Sequence, residues 1–188
     1  MTGDRVDRSP SAVLIGFMGA GKSTVGRILA DRLGVDFIDT DTEIVRTTGR
    51  SIPDIFTTDG PQRFREIECD VVLGVLRTHR GVIALGGGAV MTPAIESALA
   101  GHRVIYLRID ADAGFARVAD SDRPLIVGDD PQTRYADLLA ERDATYTRAA
   151  VFTVDAAAGD AGTVADEILT ELAHALVGER VGERAVNS

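Results

Sequence analysis

Three features of this sequence predict a three-layer, doubly wound α/β fold around a parallel sheet. Short strand-type runs alternate with longer helix-type stretches. Several of those runs are apolar on both parities, as expected of parallel strands covered on both faces. The stretches between them carry apolar residues at helical spacing, the pattern of helices crossing over from one strand to the next.

Taken in order, the first strand candidate is AVLIGF (12–17), and a glycine-rich segment follows it directly. Val25, Ile28, Leu29 and Leu33 then make the first helical stripe. VDFID (35–39) is the second strand, and Phe64, Ile67, Val71 and Val75 form a second stripe before the third strand, GVIALG (81–86). HRVIYLRI (102–109) and VFTVD (151–155) complete the five strands, with Ile168, Leu172 and Leu176 as a closing stripe. Residues 1–11 and 178–188 read as loose tails around one domain spanning 12–177. DSDRPLIVGDDPQ (120–132), polar and carrying two prolines and a glycine, suits a mobile surface lid better than a core element.

A chain of 188 residues is long enough to bury one sizeable core, and 45% hydrophobic with 26% charged residues is a globular composition. A net charge of −9 argues against nucleic acid or anionic membrane as partner, because polyanion binding needs a surplus of cations. The lone cysteine, Cys69, leaves no intramolecular disulfide and points to a reducing compartment, where it reads as a structural thiol. With no run of about 18 apolar residues and no signal-type N-terminus, the expectation is a cytoplasmic protein. No surplus apolar helix face is evident, and a monomer is expected.

The chemistry begins at IGFMGAGKST (15–24). Gly16, Gly21, Lys22 and Ser23 satisfy G-x-x-x-x-G-K-S/T between a strand and an amphipathic helix. Glycines let successive N–H groups turn inward on phosphate oxygens, and the helix adds its positive end. Lys22 supplies a point charge to the β/γ-phosphates and Ser23 a hydroxyl to Mg²⁺. Lys22 is the single lysine among 20 basic residues, so the slot that wants a compact cation kept it against a strong bias to arginine. A signalling GTPase is disfavoured: an N-K-x-D guanine reader needs a second lysine, and the only asparagine is Asn187. The third strand lacks a terminal acid for Mg²⁺, so that carboxylate must come from elsewhere. Asp39 and Asp41, bracketing Thr40 at the carboxyl edge of the second strand, can divide the work between Mg²⁺ waters and a substrate hydroxyl. They also suit a helix N-cap followed by a first-turn acid. Gly86, Gly87 and Gly88 remove side chains where a small ligand could approach backbone, or simply loosen a strand-to-helix loop.

In order along the chain, GFMGAGKST, DTD, FRxxE (Phe64, Arg65, Glu68), GGG (86–88), RPL (123–125) and ERDATY (141–146) resemble the shikimate kinases over about residues 12–177. The resemblance implies strand order 2-3-1-4-5 and ATP-dependent phosphorylation of the 3-hydroxyl of shikimate, in the biosynthesis of chorismate and the aromatic amino acids. It implies that Gly19, Ala20, Gly21, Lys22, Ser23 and Thr24 cradle ATP, that Arg117 packs on adenine, and that Arg123 arrives from the lid. Lys22, Asp41 and Arg123 become the catalytic residues, with Asp41 facing the reacting hydroxyl; Ser23 and Asp39 become the Mg²⁺ residues. Arg65 and Arg142 are the implied guanidinium partners of the acid, with Gly86, Gly87 and Gly88 contributing backbone and Phe56 and Phe64 walling the pocket. Glu68, three residues after Arg65 on one helix, can pair with it and fix its rotamer. The 154–160 loop is expected to complete the adenine site. Two rivals remain open: a small-molecule kinase of similar build acting on gluconate or a nucleoside monophosphate, and a non-enzymatic nucleotide-binding module.

Overall fold

The computed structural model describes residues 9–118 and 130–186, with side chains described as far as residue 175. Its elements run β1 (Ala12–Ile15), α1 (Lys22–Leu33), β2 (Phe37–Asp39), α2 (Thr40–Thr48), α3 (Ile52–Thr78) and β3 (Val82–Ala84). After a 3-10 turn at Ala89–Met91 come α4 (Pro93–Ala98), β4 (Val104–Arg108), α5 (Ala111–Ala116), α6 (Pro131–Ala149), β5 (Phe152–Asp155) and α7 (Ala161–Val186). The five strands form one parallel sheet in the order β2-β3-β1-β4-β5, as expected.

The double parity of the apolar runs has a direct structural meaning. Val13 and Ile15 of β1 face a cluster with Val72, Val75 and Leu76 of α3, Ile95 of α4, and Tyr135, Leu139 and Tyr146 of α6. Ala12 and Leu14 face the opposite cluster, with Val25 and Leu29 of α1 and Val164, Ala165, Ile168 and Leu172 of α7. Burying the central strands β1, β3 and β4 on both faces makes three layers, with the edge strands β2 and β5 only partly buried. A third, smaller cluster of Ile44, Ile55 and Phe64 joins α2 to α3, with Phe56 packed against it. Cys69 packs against the first cluster, in keeping with a structural thiol.

Several boundaries differ from the sequence expectation. β1 ends at Ile15 rather than residue 17, because Gly16 turns to φ 142° to open the loop. α3 is broken at Gly60 (φ 83°, ψ 168°), where Pro61 starts a second helical segment. Leu33, the last member of the first stripe, is exposed, since α1 stops there on the left-handed Gly34. α7 carries helical backbone to Val186, across residues assigned to a tail from 178. At the other end Ser11 is not loose: its N–H donates to the carbonyls of Arg80 and Gly81, both at 3.0 Å. Most of the expected lid, including Arg123, lies outside the described residues, as does the Leu176 side chain. No described helix is long and apolar enough to cross a membrane.

Candidate active site

Parallel strands put their carboxyl ends on one edge, and the loops after β1, β2 and β3 meet there. After β1, glycine is demanded by space and by conformation together. A Cβ on Gly16 would lie 2.4 Å from the Leu107 carbonyl oxygen, and one on Gly19 (φ 85°) 2.6 Å from that of Gly114. Gly21 (φ 80°) is the N-cap of α1, so the helix opens at Lys22 with its positive end at the loop. Lys22 Nζ donates to the Gly16 carbonyl at 2.8 Å and to the Phe17 carbonyl at 3.1 Å, which fixes the ammonium inside the loop's curve. Behind it, the buried Tyr135 hydroxyl of α6 donates to the Met18 carbonyl at 2.6 Å.

After β2, the DTD segment forms the expected helix cap and also turns Asp39 towards Ser23. Asp39 caps α2, its Oδ1 accepting from the N–H of Asp41 at 3.0 Å and of Thr42 at 3.4 Å. Its Oδ2 meanwhile accepts from Ser23 Oγ at 2.5 Å, which brings together the hydroxyl and carboxylate expected to face Mg²⁺. Thr40 is fully buried and accepts the Gly86 N–H on its hydroxyl at 2.9 Å. Asp41 sits directly under Gly86, where an added Cβ would come 2.5 Å from its Oδ1 and 3.1 Å from Glu68 Oε1. Cap and site are one arrangement.

The arginines stand on the other side of the glycine turn. Arg65 Nη1 pairs with Glu68 Oε2 at 2.5 Å, one helical step apart on α3, and the guanidinium fills the space a Gly88 side chain would occupy. Glu68 has a side chain only 2% exposed, and burial lifts its carboxyl above the ordinary value against the pull of Arg65. Arg142, on α6, is 9% exposed and lies over Phe17, with Cζ 5.2 Å from the ring centroid. Its Nη1 is buried with no hydrogen-bond partner among the described residues. A buried guanidinium N–H left unpaired is costly, so the position calls for an acceptor from outside those residues. Tyr146, four residues on, donates its hydroxyl to the Gly87 carbonyl. Burial pushes that hydroxyl up to about 12, against the pull of Arg142.

The loops enclose a cavity of about 310 Å³. Of the residues expected to bind, Gly19, Gly21, Lys22, Ser23, Thr24, Asp39, Asp41, Gly87 and Arg117 line it. Arg117 bridges two loops, donating to the Gly19 and Ala156 carbonyls at 3.2 Å each, so the 154–160 loop reaches this edge. Ala20, Gly86, Gly88, Phe56, Phe64, Arg65 and Arg142 are not in the lining. Ala20 is buried, with its N–H turned to the Phe17 carbonyl at 3.3 Å. Phe56 and Phe64 pack on each other at 4.4 Å, and Arg65 lies over Phe64 at 5.3 Å, so this group backs the glycine turn. Thr40, Tyr135 and Tyr146 carry no local signal in the sequence: Thr40 stands between two more conspicuous aspartates, and each tyrosine reaches a backbone carbonyl far along the chain.

Known proteins resemble the chain along nearly its whole length. A family model described as shikimate kinase matches residues 18–173. Shikimate kinase of Mycobacterium tuberculosis (strain H37Ra) is 50% identical over 165 residues, covering 87% of this chain and 94% of the relative. That of Rhodococcus erythropolis is 45% identical over 164 residues, covering 87% and 97%. Among solved structures, shikimate kinase from Acinetobacter baumannii in complex with shikimate superposes with a TM-score of 0.84 at 37% identity, covering 88% and 94%. A gluconokinase from Sinorhizobium meliloti, at TM-score 0.55 and 18% identity, shares the fold alone. On its matched sequence, its sheet order and the loops that meet at one sheet edge, this chain belongs to the shikimate kinase family.

Proposed function

We propose that this enzyme transfers the γ-phosphoryl group of ATP to the 3-hydroxyl of shikimate, forming shikimate 3-phosphate and ADP. The observation that carries the reading is the buried, unpartnered Nη1 of Arg142 near the Arg65–Glu68 pair. A carboxylate is the acceptor that suits two guanidinium groups, because its oxygens can each take charge-assisted bonds. The shikimate bound to the Acinetobacter relative supports the choice of acid.

In this reading Arg65 and Arg142 hold the carboxylate with the backbone of Gly87 and Gly88, and the Phe56–Phe64 pair supplies an apolar wall. Asp41 faces the reacting hydroxyl and accepts its hydrogen bond, the proton leaving towards this carboxylate as the new O–P bond forms. The loop from Gly19 to Thr24 cradles the phosphates, and Lys22 neutralises charge gathering on the β/γ oxygens, the main work of phosphoryl transfer. Arg117 lies against the base, and Arg123 closes over the phosphates from the lid, excluding water.

Mg²⁺ fits the residues present. Ser23 Oγ and Asp39 Oδ2 are adjacent hard oxygen donors, the kind that Mg²⁺ takes in ones and twos alongside phosphates and waters. When bound, the ion shields the charge on the bridging phosphate oxygens. We further assign the enzyme to the cytoplasm, where ATP is made and a lone thiol such as Cys69 stays reduced, and read it as a monomer.

An acceptor panel in an ADP-release assay, run with and without Mg²⁺, tests the whole. Shikimate should be turned over only with the metal present, while gluconate and nucleoside monophosphates stay at the ATP-only blank. Turnover of either of those without turnover of shikimate would overturn the assignment.

A further inference from the structure

The glycine turn after β3 has no side chains with which to fix its own shape, and two buried hydroxyls reach it from different elements. Thr40, at the start of α2, accepts the Gly86 N–H at 2.9 Å. Tyr146, near the end of α6, donates to the Gly87 carbonyl. The two contacts fall on the amide of one glycine and the carbonyl of the next, so one dipeptide is tied at both ends. Both residues are fully buried. If packing were their only duty, a valine and a phenylalanine would fill the same volumes without polar atoms to satisfy.

Neither hydroxyl is free to wander. The Tyr146 ring stacks on Tyr106 at 5.1 Å between centroids, and the Tyr106 hydroxyl donates to Asp143 Oδ1 at 2.9 Å. Asp143 also faces Arg108 Nε at 3.5 Å, so α6 is braced against β4 where Arg142 projects. Burial keeps the Tyr146 hydroxyl protonated at any working pH, so towards Gly87 it acts as a donor only. Thr40 is held by its place in the first turn of α2, between the Asp39 cap and Asp41.

We propose that Thr40 and Tyr146 are positioning residues for the acid: a pair of hydroxyls that sets the Gly86–Gly88 backbone against Arg65. The inference rests on the functional reading above for the identity of the acid. The phosphate loop has its own tether, Tyr135 on the Met18 carbonyl, so loosening the glycine turn should spare the nucleotide.

The test compares the parent enzyme with Tyr146→Phe, Thr40→Val and Thr40→Ser. Tyr146→Phe and Thr40→Val keep the volume but strand a buried carbonyl or N–H, so KM for shikimate should rise about tenfold. KM for ATP should stay within about twofold, the split expected of lost ground-state binding of one substrate. Thr40→Ser keeps the oxygen and should restore a near-parental KM for shikimate. Calorimetric titration of shikimate without nucleotide should show the same ranking. Tyr146→Phe and Thr40→Val with parental acid binding would overturn the proposal. So would equal loss of both substrates with Thr40→Ser no better than Thr40→Val, which marks a role in folding alone. Should Tyr146→Phe not fold, the serine–valine pair decides by itself. A parent enzyme that neither binds nor phosphorylates shikimate sinks the functional reading instead, and is seen before any variant is made.

Discussion

Replacing Gly88 by alanine tests the proposed placement of Arg65 at the acid apart from the rest of the enzyme. The backbone permits it, since Gly88 lies at φ −106°, ψ −7°, where any L-residue is comfortable. The new Cβ would stand 2.5 Å from Arg65 Nη2, 2.7 Å from Nη1 and 2.9 Å from Cζ. Ordinary contact begins at 3.4 Å, so the guanidinium must retreat by the difference from 2.5 Å, about 0.9 Å. Nη1 is the nitrogen held by Glu68 at 2.5 Å, and a retreat of that size takes it to the limit of a hydrogen bond. Losing a charged hydrogen bond to the acid costs about 1.5–3 kcal/mol, or roughly 10- to 150-fold in kcat/KM for shikimate. The fold should lose only about 1 kcal/mol and melt about 2–4 °C lower, because the atoms displaced end a flexible side chain. Coupled ADP-release kinetics with each substrate varied in turn, beside thermal melting, measure both effects. Parental kinetics for shikimate, or an equal rise in KM for ATP, would refute the placement of Arg65 at the acid.

Asp39→Asn should separate the two duties of that residue. Asparagine caps a helix as well as aspartate, so melting should barely change, while the Mg²⁺ concentration for half-maximal rate rises by at least about tenfold. Arg142→Met removes a buried nitrogen that has no partner among the described residues; the free enzyme should lose less than about 1 kcal/mol while shikimate affinity falls about 100-fold, read by melting and calorimetry. Glu68→Gln should show a pH signature. Burial raises the Glu68 carboxyl in the folded state above its ordinary 4.5, so its contribution to stability is present below the unfolded value and lost as pH climbs through the folded one. Melting curves from about pH 4 to about pH 8 should therefore favour the glutamine variant increasingly with pH, whereas its shikimate affinity falls throughout because Arg65 loses its anchor.

Legibility in the sequence followed the physics of each signal. The central strands β1, β3 and β4 were readable because burial on both faces writes itself into both parities, and their ends were not, because a turn such as Gly16 depends on a close approach to Leu107 far along the chain. The break in α3 hid behind a stripe that begins only at Phe64, past the Asp59-Gly60-Pro61 turn signal. The phosphate loop was legible as a motif, since its glycines and Lys22 lie together in sequence, while its Tyr135 tether from α6 was not. Thr40 and Tyr146 were not: their partners lie 46 and 59 residues away, and a buried hydroxyl leaves no trace in periodicity. Arg142 was reached by resemblance alone, for an arginine is ordinarily a surface residue and nothing local marks this one as buried.

The order β2-β3-β1 makes neighbours of the three strands whose ends carry the Asp39–Asp41 pair, the glycine turn and the phosphate loop. Adjacent strands in a sheet stand about 4.8 Å apart whatever their side chains are. The gap a phosphoryl group must cross is thus gauged by main-chain pairing. Helices on either face can change their side chains without altering that spacing, because it is held by the backbone of the sheet.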